Sequence, residues 1–283
     1  MIVFIMFLIL VALICLNVPI AIGLAVSAIF GLLVTEGVDS VVTLALDMYD
    51  GSTKFSLIAI PMFVLAGAIM NAGGITDKLI NFVNAIIGFV RGGLAMVNIG
   101  VSLFFAEISG SAVADVAALG SVLIPQMKKR GYSGPLAAAV TSSSASLAII
   151  IPPSIPMILY ATSAGTSVEQ LFVAGIIPGL LGAFGLMGMA YYFARKYNLP
   201  REEAFNAGRL WNTLVEALPA FTLPVIILGG IFGGFVTATE AAGLAVLAAL
   251  AVSAWYSKMD YGHLKRAMID GGVQTAVVML LVA

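Results

Sequence analysis

The sequence predicts an all-α, polytopic integral membrane protein, and its composition and hydropathy pattern carry this prediction. Of its 283 residues, 61% are hydrophobic and only 10% are charged, whereas a soluble domain carries roughly 25% charged residues. Apolar segments recur along almost the whole chain, and several reach the about 20 residues that a helix needs to cross the hydrocarbon core. These features exclude a soluble fold. The apolar segments are 2–16, 18–35, 56–72, 94–127, 134–165, 173–194, 219–236, 240–256 and 268–283.

Other features of the composition exclude several further classes of protein. The formal net charge is −1, so no basic surface indicates a nucleic acid partner. Cys15 is the only cysteine, which excludes disulfides and thiolate metal sites, and we interpret it as a small buried hydrophobic residue. His263 is the only histidine and lies among charged residues, so no histidine cluster can hold a transition metal.

The positions of the charged residues predict the topology. All 13 Lys and Arg residues except Lys54 fall into four groups between apolar segments. By the positive-inside rule, these groups lie in the cytoplasm and the acidic loop 36–54 lies outside. The groups are Lys78 with Arg91; Lys128, Lys129 and Arg130; Arg195, Lys196, Arg201 and Arg209; and Lys258, Lys265 and Arg266; the loop contains Glu36, Asp39, Asp47 and Asp50.

Residues 94–127 are predicted to form a re-entrant helical hairpin. The segment lies between Arg91 and the cluster 128–130, which the positive-inside rule assigns to the same side of the membrane. The chain must therefore go in and come back, and the small polar run Ser109-Gly110-Ser111 marks the turn. Two tightly spaced transmembrane helices are the alternative, but the segment is short for two full spans.

The next apolar segment, 134–165, is predicted to be a discontinuous helix. It contains Pro152, Pro153 and Pro156, and proline removes an amide donor and clashes with the preceding turn. In lipid, interrupted backbone is tolerated only inside protein or beside a cavity. A single proline would fit a kinked structural helix, whereas three prolines after the serine-rich run 141–146 favour a functional break.

A weak internal repeat is visible along the chain. IAIGLAV at 20–26 matches EAAGLAV at 240–246, and MFVLA at 62–66 matches MLLVA at 279–283, in the same order and at nearly constant spacing. The predicted topology makes helix 18–35 run outward and its counterpart, helix 240–256, run inward. Inverted repeats are typical of secondary transporters, whose sites lie near the midplane and use discontinuous helices. We therefore expect a second hairpin and a second broken helix beyond Ala283.

The repeat and two amphipathic segments suggest a division of the chain. Residues 75–91 and 166–174 carry charges and are expected to lie along the membrane interface, either as arms that join a moving unit to a fixed one or as ordinary linkers. The predicted parts are 1–72, the first scaffold helices and connecting arm; 73–165, half of a transport domain; 166–215, an arm, a transmembrane helix and a cytoplasmic linker; and 216–283, the start of the second repeat.

The hairpin tip and the broken helix together predict half of a binding site. An alkali cation needs oxygen ligands, which hydroxyls and the backbone carbonyls freed at an interrupted helix supply, while half-helix N-termini favour an anion. In the alternative interpretation, the small residues only permit close helix packing, and the hydroxyls of 141–146 bond back to helix carbonyls.

Two carboxylates flank the tip at membrane depth, where ionisable residues are costly and indicate function. Asp115 lies in the first turn of the returning helix, so it fits either a helix-start role or an ion-linked one. Glu107 ends its helix, where the dipole disfavours it. It fits a proton-linked role, a pairing with another group or exposure to a water-filled cavity.

Two helix starts are readable from short motifs. Thr237 and Glu240 form a T-x-x-E capping box before segment 240–256. Asn17 and Pro19 are predicted to start segment 18–35 in the same way, with the proline near the first turn. We interpret capping as the main role of Glu240.

With these residues in place, the sequence resembles the large membrane subunit of tripartite ATP-independent periplasmic (TRAP) transporters over essentially its whole length. The hairpin signature and the proline-rich break carry the resemblance most specifically. The matching runs are Ile108–Ala114, Gly120–Pro125, Lys128–Tyr132 and Ile151–Tyr160, with Ile60–Phe63, Leu65–Gly67 and Thr237–Ala242 in support.

The resemblance implies an elevator-type, Na⁺-coupled importer in the bacterial inner membrane. It would work with a small four-helix membrane subunit and a soluble periplasmic binding protein that delivers an organic acid, such as a C4-dicarboxylate or sialic acid. The implied sodium ligands are Ser109, Ser111, Ala148, Ile151 and Pro152, mostly through main-chain oxygens; the solute is expected to meet Ser109, Gly110, Ser111, Ser144, Ser146, Pro153 and Ser154, and Glu107 and Asp115 are candidate coupling carboxylates.

Two positions depart from the family pattern. Ala148-Ile149 stands where the family usually has Gly-Pro, and Glu107 stands where a small residue is more usual; family members are also longer. A stand-alone divalent-anion/Na⁺ symporter is the alternative within transport. From another class, a membrane enzyme and a structural scaffold stay as alternatives. The enzyme is disfavoured, because there is no H-E-x-x-H motif and no nucleophile with an evident base partner.

Overall fold

The computed structural model describes residues 1–201, 204–256 and 260–283, and within these ranges the chain is helical and forms no β-strand. By length and composition, 4 of the described helical segments are able to cross a membrane. The prediction of an all-α polytopic membrane protein is confirmed. The α-helices are α1 (Ile2–Cys15), α2 (Ile20–Thr35), α3 (Val41–Ser52), α4 (Ala59–Ala72), α5 (Ile75–Ile87), α6 (Gly93–Ser109), α7 (Ala112–Lys129), α8 (Gly134–Ala145), α9 (Ile155–Ala164), α10 (Val168–Lys196), α11 (Ala207–Phe232), α12 (Ala238–Trp255) and α13 (Tyr261–Val282).

The described chain forms two compact units. The first comprises residues 1–55 and 273–283, and the second comprises residues 56–272. In the first unit, α1 packs against α2 along Gly23 and Gly31, which are buried. Small residues two helical turns apart allow the two helices to approach closely. The four-part division of the chain and the inverted repeat stay predictions.

The second unit is organised around α6. On one side, α5 and α11 pack together and α4 packs against α12, and the apolar faces meet in a core that contains Phe82 and Phe105. On its other side, α6 contacts α8 and α10 and closes a second core that contains Met127 and Leu147. α6 is therefore buried over most of its length, which holds its C-terminal end in a defined position.

The predicted hairpin is confirmed as a pair of helices, α6 and α7, joined by a short link. The chain returns to the end where it started, because a Cβ atom on Gly92, just before α6, would lie 3.7 Å from the hydroxyl of Tyr132, just after α7. Arg91 donates a hydrogen bond to the side-chain oxygen of Asn198, just after α10. The basic ends of α7 and α10 therefore lie with Arg91 at one end of the unit, as the charge pattern predicts.

The predicted discontinuous helix over 134–165 is also confirmed. α8 is followed by a 3-10 turn at Ser146–Ile149, by residues 150–154 outside any helix, and then by α9. Pro152 and Pro153 lack the N–H groups that a continuing helix requires. The interruption thus lies where the prolines lie.

Hydropathy located the helices but not all of their ends. The acidic loop 36–54 contains the helix α3, so its description as a loop is wrong. Segment 166–174 is not a separate element, since α10 runs without interruption from Val168. α11 begins at Ala207, well before the apolar segment that starts at 219. Helices continue past their apolar part because the backbone hydrogen bonds do not depend on hydropathy.

Two residue-level predictions are wrong. Cys15 is exposed rather than buried, because α1 contributes no buried residue to its unit. Asn17 does not cap α2: it has a φ of 61°, and Pro19 takes the N-cap position. Lys258 and the side chain of Asp39, both used in the topology prediction, lie outside the described residues.

The capping box at the start of α12 is confirmed. The Glu240 amide donates to Thr237 Oγ1 at 3.3 Å, and the Thr237 amide donates to Glu240 Oε2 at 2.8 Å. These bonds satisfy amides that have no partner inside the helix. Other helices use a single side-chain acceptor, at Ser111, Ser133, Ser154, Ser167 and Asn206.

We expect Thr237→Ala to lower the free energy of unfolding by about 1 kcal/mol, because alanine offers no acceptor to the first-turn amide. Thr222→Ala is the matched control, since Thr222 lies inside α11 and its hydroxyl donates to the Pro219 carbonyl at 2.6 Å. Unfolding of both purified variants in detergent measures the difference. Equal losses in the two variants would contradict the capping role.

Candidate functional site

The candidate site begins at the link between α6 and α7. α6 ends at Ser109, and Gly110 adopts the left-handed conformation with a φ of 59°, which glycine tolerates without strain. Ser111 then caps α7 by accepting a hydrogen bond from the Ala114 amide at 3.3 Å. The tip is therefore a polar turn between the C-terminus of one helix and the N-terminus of the next.

The break between α8 and α9 provides free carbonyl oxygens. Ser154 is fully buried and caps α9, and its hydroxyl donates to the Ile149 carbonyl at 2.6 Å. The carbonyl oxygens of residues 150–153 accept no hydrogen bond from any backbone amide in the described chain. Carbonyl oxygens freed in this way are suitable ligands for an alkali cation inside a membrane.

The tip and the break are in direct contact. The Ile155 amide donates to the Gly110 carbonyl at 3.1 Å, so the first amide of α9 is satisfied by the hairpin. The approach leaves no room for a side chain, since a Cβ atom on Gly110 would lie 2.8 Å from the Pro153 carbonyl oxygen. The prediction that the tip faces the break is confirmed.

Glycines on two further helices pack against this contact. A Cβ atom on Gly67 of α4 would lie 3.2 Å from Ser109 Cα, and one on Gly179 of α10 would lie 2.5 Å from Ile151 Cγ1. Gly175, one turn earlier in α10, also lies against the break. We did not predict these positions from the sequence; the small residues spaced four apart in α10 were the available signal.

The two carboxylates beside the tip have different surroundings. Asp115 is fully buried, and the Ser109 hydroxyl donates to its Oδ1 at 2.5 Å, while its Oδ2 has no hydrogen-bond partner in the described chain. Ser111, rather than Asp115, caps α7, and Asp115 contacts the tip by its hydrogen bond with Ser109. Glu107 is half-buried and pairs with none of the described side chains. A coupling role for either carboxylate stays a prediction.

Most residues of the predicted sodium and solute sets lie in the tip or in the break. The Gly110 contact joins the two segments, and every break residue in these sets is buried. The tip contributes Ser109, Gly110 and Ser111, and the turn and break contribute Ala148, Ile151, Pro152, Pro153 and Ser154.

Ser144 and Ser146, the other two predicted solute contacts, do not join this group. Ser144 is fully buried against α6. Ser146 is exposed, and its hydroxyl donates to the Ser143 carbonyl at 2.6 Å. Ser142 likewise donates to the Ala139 carbonyl at 3.2 Å. The interpretation in which these hydroxyls bond back to their own helix fits the serine run better than a shared binding surface.

A buried polar network between α6 and α8 was not predicted. Asn98 donates to Thr141 Oγ1 at 2.7 Å and accepts from Ser144 Oγ at 3.2 Å, and Ser102 Oγ donates to Ser144 Oγ at 2.9 Å. All of these side chains are at most 1% exposed. The network ties the hairpin to the broken helix, and an asparagine within an apolar helix was the signal for it.

The oxygen donors of the site suit a monovalent cation. They are neutral carbonyls and hydroxyls with one buried carboxylate, whereas transition metals prefer imidazole and thiolate ligands. Within the described ranges, no group of 3 or more His, Cys, Asp or Glu side chains could hold a metal ion.

Sequence comparison gives the family. Residues 7–283 match the model described as the tripartite ATP-independent periplasmic transporter, DctM component. The chain is 40% identical over 241 residues to the 2,3-diketo-L-gulonate TRAP transporter large permease protein of Escherichia coli, covering 85% of this chain and 57% of that protein. It is 39% identical over 246 residues to the C4-dicarboxylate TRAP transporter large permease protein of Pseudomonas aeruginosa, covering 87% and 58%.

A third relative is the sialic acid TRAP transporter permease protein of Haemophilus influenzae, which is 36% identical over 230 residues, covering 81% of this chain and 37% of that protein. The chain thus spans less than two thirds of the length of each of these relatives. The relatives are transporter permease components rather than enzymes. The family match, the identities and the apolar helices lead to one conclusion: the chain belongs to the DctM component family of TRAP transporters, and it is a multi-pass protein of the bacterial inner membrane.

Proposed function

We propose that the chain mediates Na⁺-coupled, secondary-active uptake of an organic acid across the inner membrane. The contact between the Gly110 carbonyl and the Ile155 amide carries this proposal, because it holds a hydroxyl-bearing tip against a break with free carbonyl oxygens. Such oxygens can replace the hydration shell of an alkali cation. The proposed sodium ligands are Ser109, Ser111, Ala148, Ile151 and Pro152, mostly through main-chain oxygens.

The proposed solute is a carboxylate, such as a C4-dicarboxylate, sialic acid or a related acid. α7 and α9 both begin at the meeting point of tip and break, and helix N-termini attract anions. The relatives' names, which refer to 2,3-diketo-L-gulonate, C4-dicarboxylate and sialic acid, support this class. The proposed solute contacts are Ser109, Gly110, Ser111, Pro153 and Ser154.

We also propose a tripartite assembly and an elevator-type movement. The partners are a small four-helix membrane subunit and a soluble periplasmic binding protein that delivers the solute, as the family description suggests. The hairpin and the broken helix would form the moving part. The buried network between α6 and α8 supports this, because it makes the two segments suited to move as one body.

Uptake into proteoliposomes tests the proposal. We expect uptake of the organic acid to require both an inward Na⁺ gradient and the binding protein, when the chain is reconstituted with the small membrane subunit. Equal uptake without the binding protein would instead favour a stand-alone divalent-anion/Na⁺ symporter. No uptake under any gradient would contradict both forms of transport.

A further inference from the structure

We propose that Asp115 is a positioning residue, which holds the Ser109 hydroxyl as an acceptor so that Ser109 serves the cation and not the carboxylate of the solute. This inference rests on the proposed function and sharpens it. The tip residues Ser109 and Ser111 were assigned to both ligands, and their hydrogen bonds separate the two roles.

The Ser109 hydroxyl makes two hydrogen bonds, one as donor and one as acceptor. It donates its one proton to Asp115 Oδ1 at 2.5 Å, and its oxygen accepts the Ser111 amide at 3.2 Å. A hydroxyl has one donor and two acceptor positions, so a single acceptor position remains. A cation can use that position, whereas a carboxylate needs a donor and cannot.

Asp115 is itself fixed and incompletely satisfied. It is 0% exposed, and its amide donates to the Ser111 carbonyl at 3.0 Å, which anchors it in α7. Its Oδ2 has no hydrogen-bond partner in the described chain. Ser109 is thus the one side-chain donor that the described chain gives to this carboxylate.

The Ser111 hydroxyl is arranged differently. Its oxygen accepts the Ala114 amide at 3.3 Å, and its proton is donated to no described atom. Ser111 is therefore the tip residue whose hydroxyl can donate to a carboxylate, while its proposed sodium contact uses the main chain. The two serines thus divide the ligands between them.

Thermal unfolding of the purified full chain in detergent tests this without any solute, in NaCl against KCl at constant ionic strength. We expect Asp115→Asn to weaken the Na⁺ affinity by about tenfold, because asparagine can present either its oxygen or its amino group to Ser109 and no longer fixes the hydroxyl. Ser109→Ala should weaken it by a similar factor, since it removes the ligand.

The double variant separates positioning from an independent contribution. If Asp115 acts through Ser109, the double variant binds Na⁺ no more weakly than Ser109→Ala alone. Losses that add would overturn the proposal, and so would an unchanged affinity in Asp115→Asn. Ser121→Ala is the matched control in α7, because the Ser121 hydroxyl donates to the Ala118 carbonyl of its own helix at 2.8 Å, and we expect its Na⁺ affinity to equal that of the wild type.

Uptake kinetics test whether Ser109 serves the cation and Ser111 serves the solute. In membrane vesicles at saturating Na⁺, Ser111→Ala should raise the KM for the solute by about tenfold, whereas Ser109→Ala should leave that KM unchanged. When the Na⁺ concentration is varied instead, Ser109→Ala should shift the Na⁺ dependence of uptake to higher concentrations. The reverse pattern would overturn the division between the serines. The same vesicles provide the Na⁺ dependence of Asp115→Asn if detergent unfolds it.

Thermal unfolding of the wild-type chain in Na⁺ and in K⁺ shows whether a negative result contradicts the role of Asp115 or the proposed sodium coupling. If Na⁺ does not stabilise the wild-type chain more than K⁺ does, the proposed sodium coupling is contradicted. If Na⁺ stabilises the wild type and Asp115→Asn equally, only the role of Asp115 is contradicted.

Discussion

Gly110→Ala should reduce solute uptake by about 100-fold or more, because the added methyl group must push the tip away from the break. The new Cβ atom would lie 2.8 Å from the Pro153 carbonyl oxygen and 3.3 Å from the Ile155 nitrogen. The hydrogen bond between Gly110 and Ile155 would then lengthen, and the proposed cation ligands would separate. In enzyme active sites a misplacement of about 1 Å can reduce the rate by about 100-fold, and we expect a loss of the same order here.

Gly131→Ala is the matched control for this prediction. Gly131 also has a positive φ, of 87°, but a Cβ atom there would meet nothing within 4 Å. Both variants therefore incur the cost of a left-handed alanine, roughly 1–2 kcal/mol, and only Gly110→Ala disturbs the break. Uptake measured against the amount of folded protein in the membrane compares them. Similar uptake in both variants would show that the tip contact is dispensable.

Asn98→Ala should lower the free energy of unfolding by about 3 kcal/mol, from lost hydrogen bonds and a new cavity. The variant removes the donor to Thr141 and the acceptor for Ser144, both inside a fully buried network. The loss also loosens the link between α6 and α8, so we expect uptake to fall with stability. Unfolding in detergent and uptake in vesicles measure the two effects.

Ser142→Ala provides the control for the network. Ser142 lies in α8 beside Thr141, but it is exposed and its hydroxyl donates to a carbonyl of its own helix. We expect a change within about 0.5 kcal/mol for this variant. A comparably small change in Asn98→Ala would mean that the network does not hold the two helices together.

The hairpin and the broken helix were predictable because their causes are local. Gly110 permits the left-handed turn, and Pro152 and Pro153 prevent a continuous helix wherever they occur. The basic residues on both sides of segment 94–127 then required the chain to return. Charge and proline act on their own segment, so neither prediction needed a contact between distant residues.

The helix ends and the supporting contacts were less predictable. α10 and α11 extend beyond their apolar parts, and hydropathy does not register polar turns at a helix end. Gly67 and Gly179 support the site from other helices, yet this chain has 30 glycines, so glycine by itself does not distinguish these positions. The Asn98 network joins residues more than 40 positions apart, which no local pattern indicates.

By itself, the sequence determined that this protein is an all-α membrane protein of the TRAP family with a polar hairpin tip and a proline-broken helix. Hydropathy, charge and proline suffice for the fold class, the tip and the break, because each acts through neighbouring residues and the bilayer; the family resemblance rested on the motifs at Ile108–Ala114 and Ile151–Tyr160. Only the tertiary structure decided that the Gly110 carbonyl receives the Ile155 amide and that the Ser109 proton goes to Asp115. These pairings depend on which buried donors and acceptors reach each other once the helices have packed, since a buried polar group takes the partner that packing brings within reach.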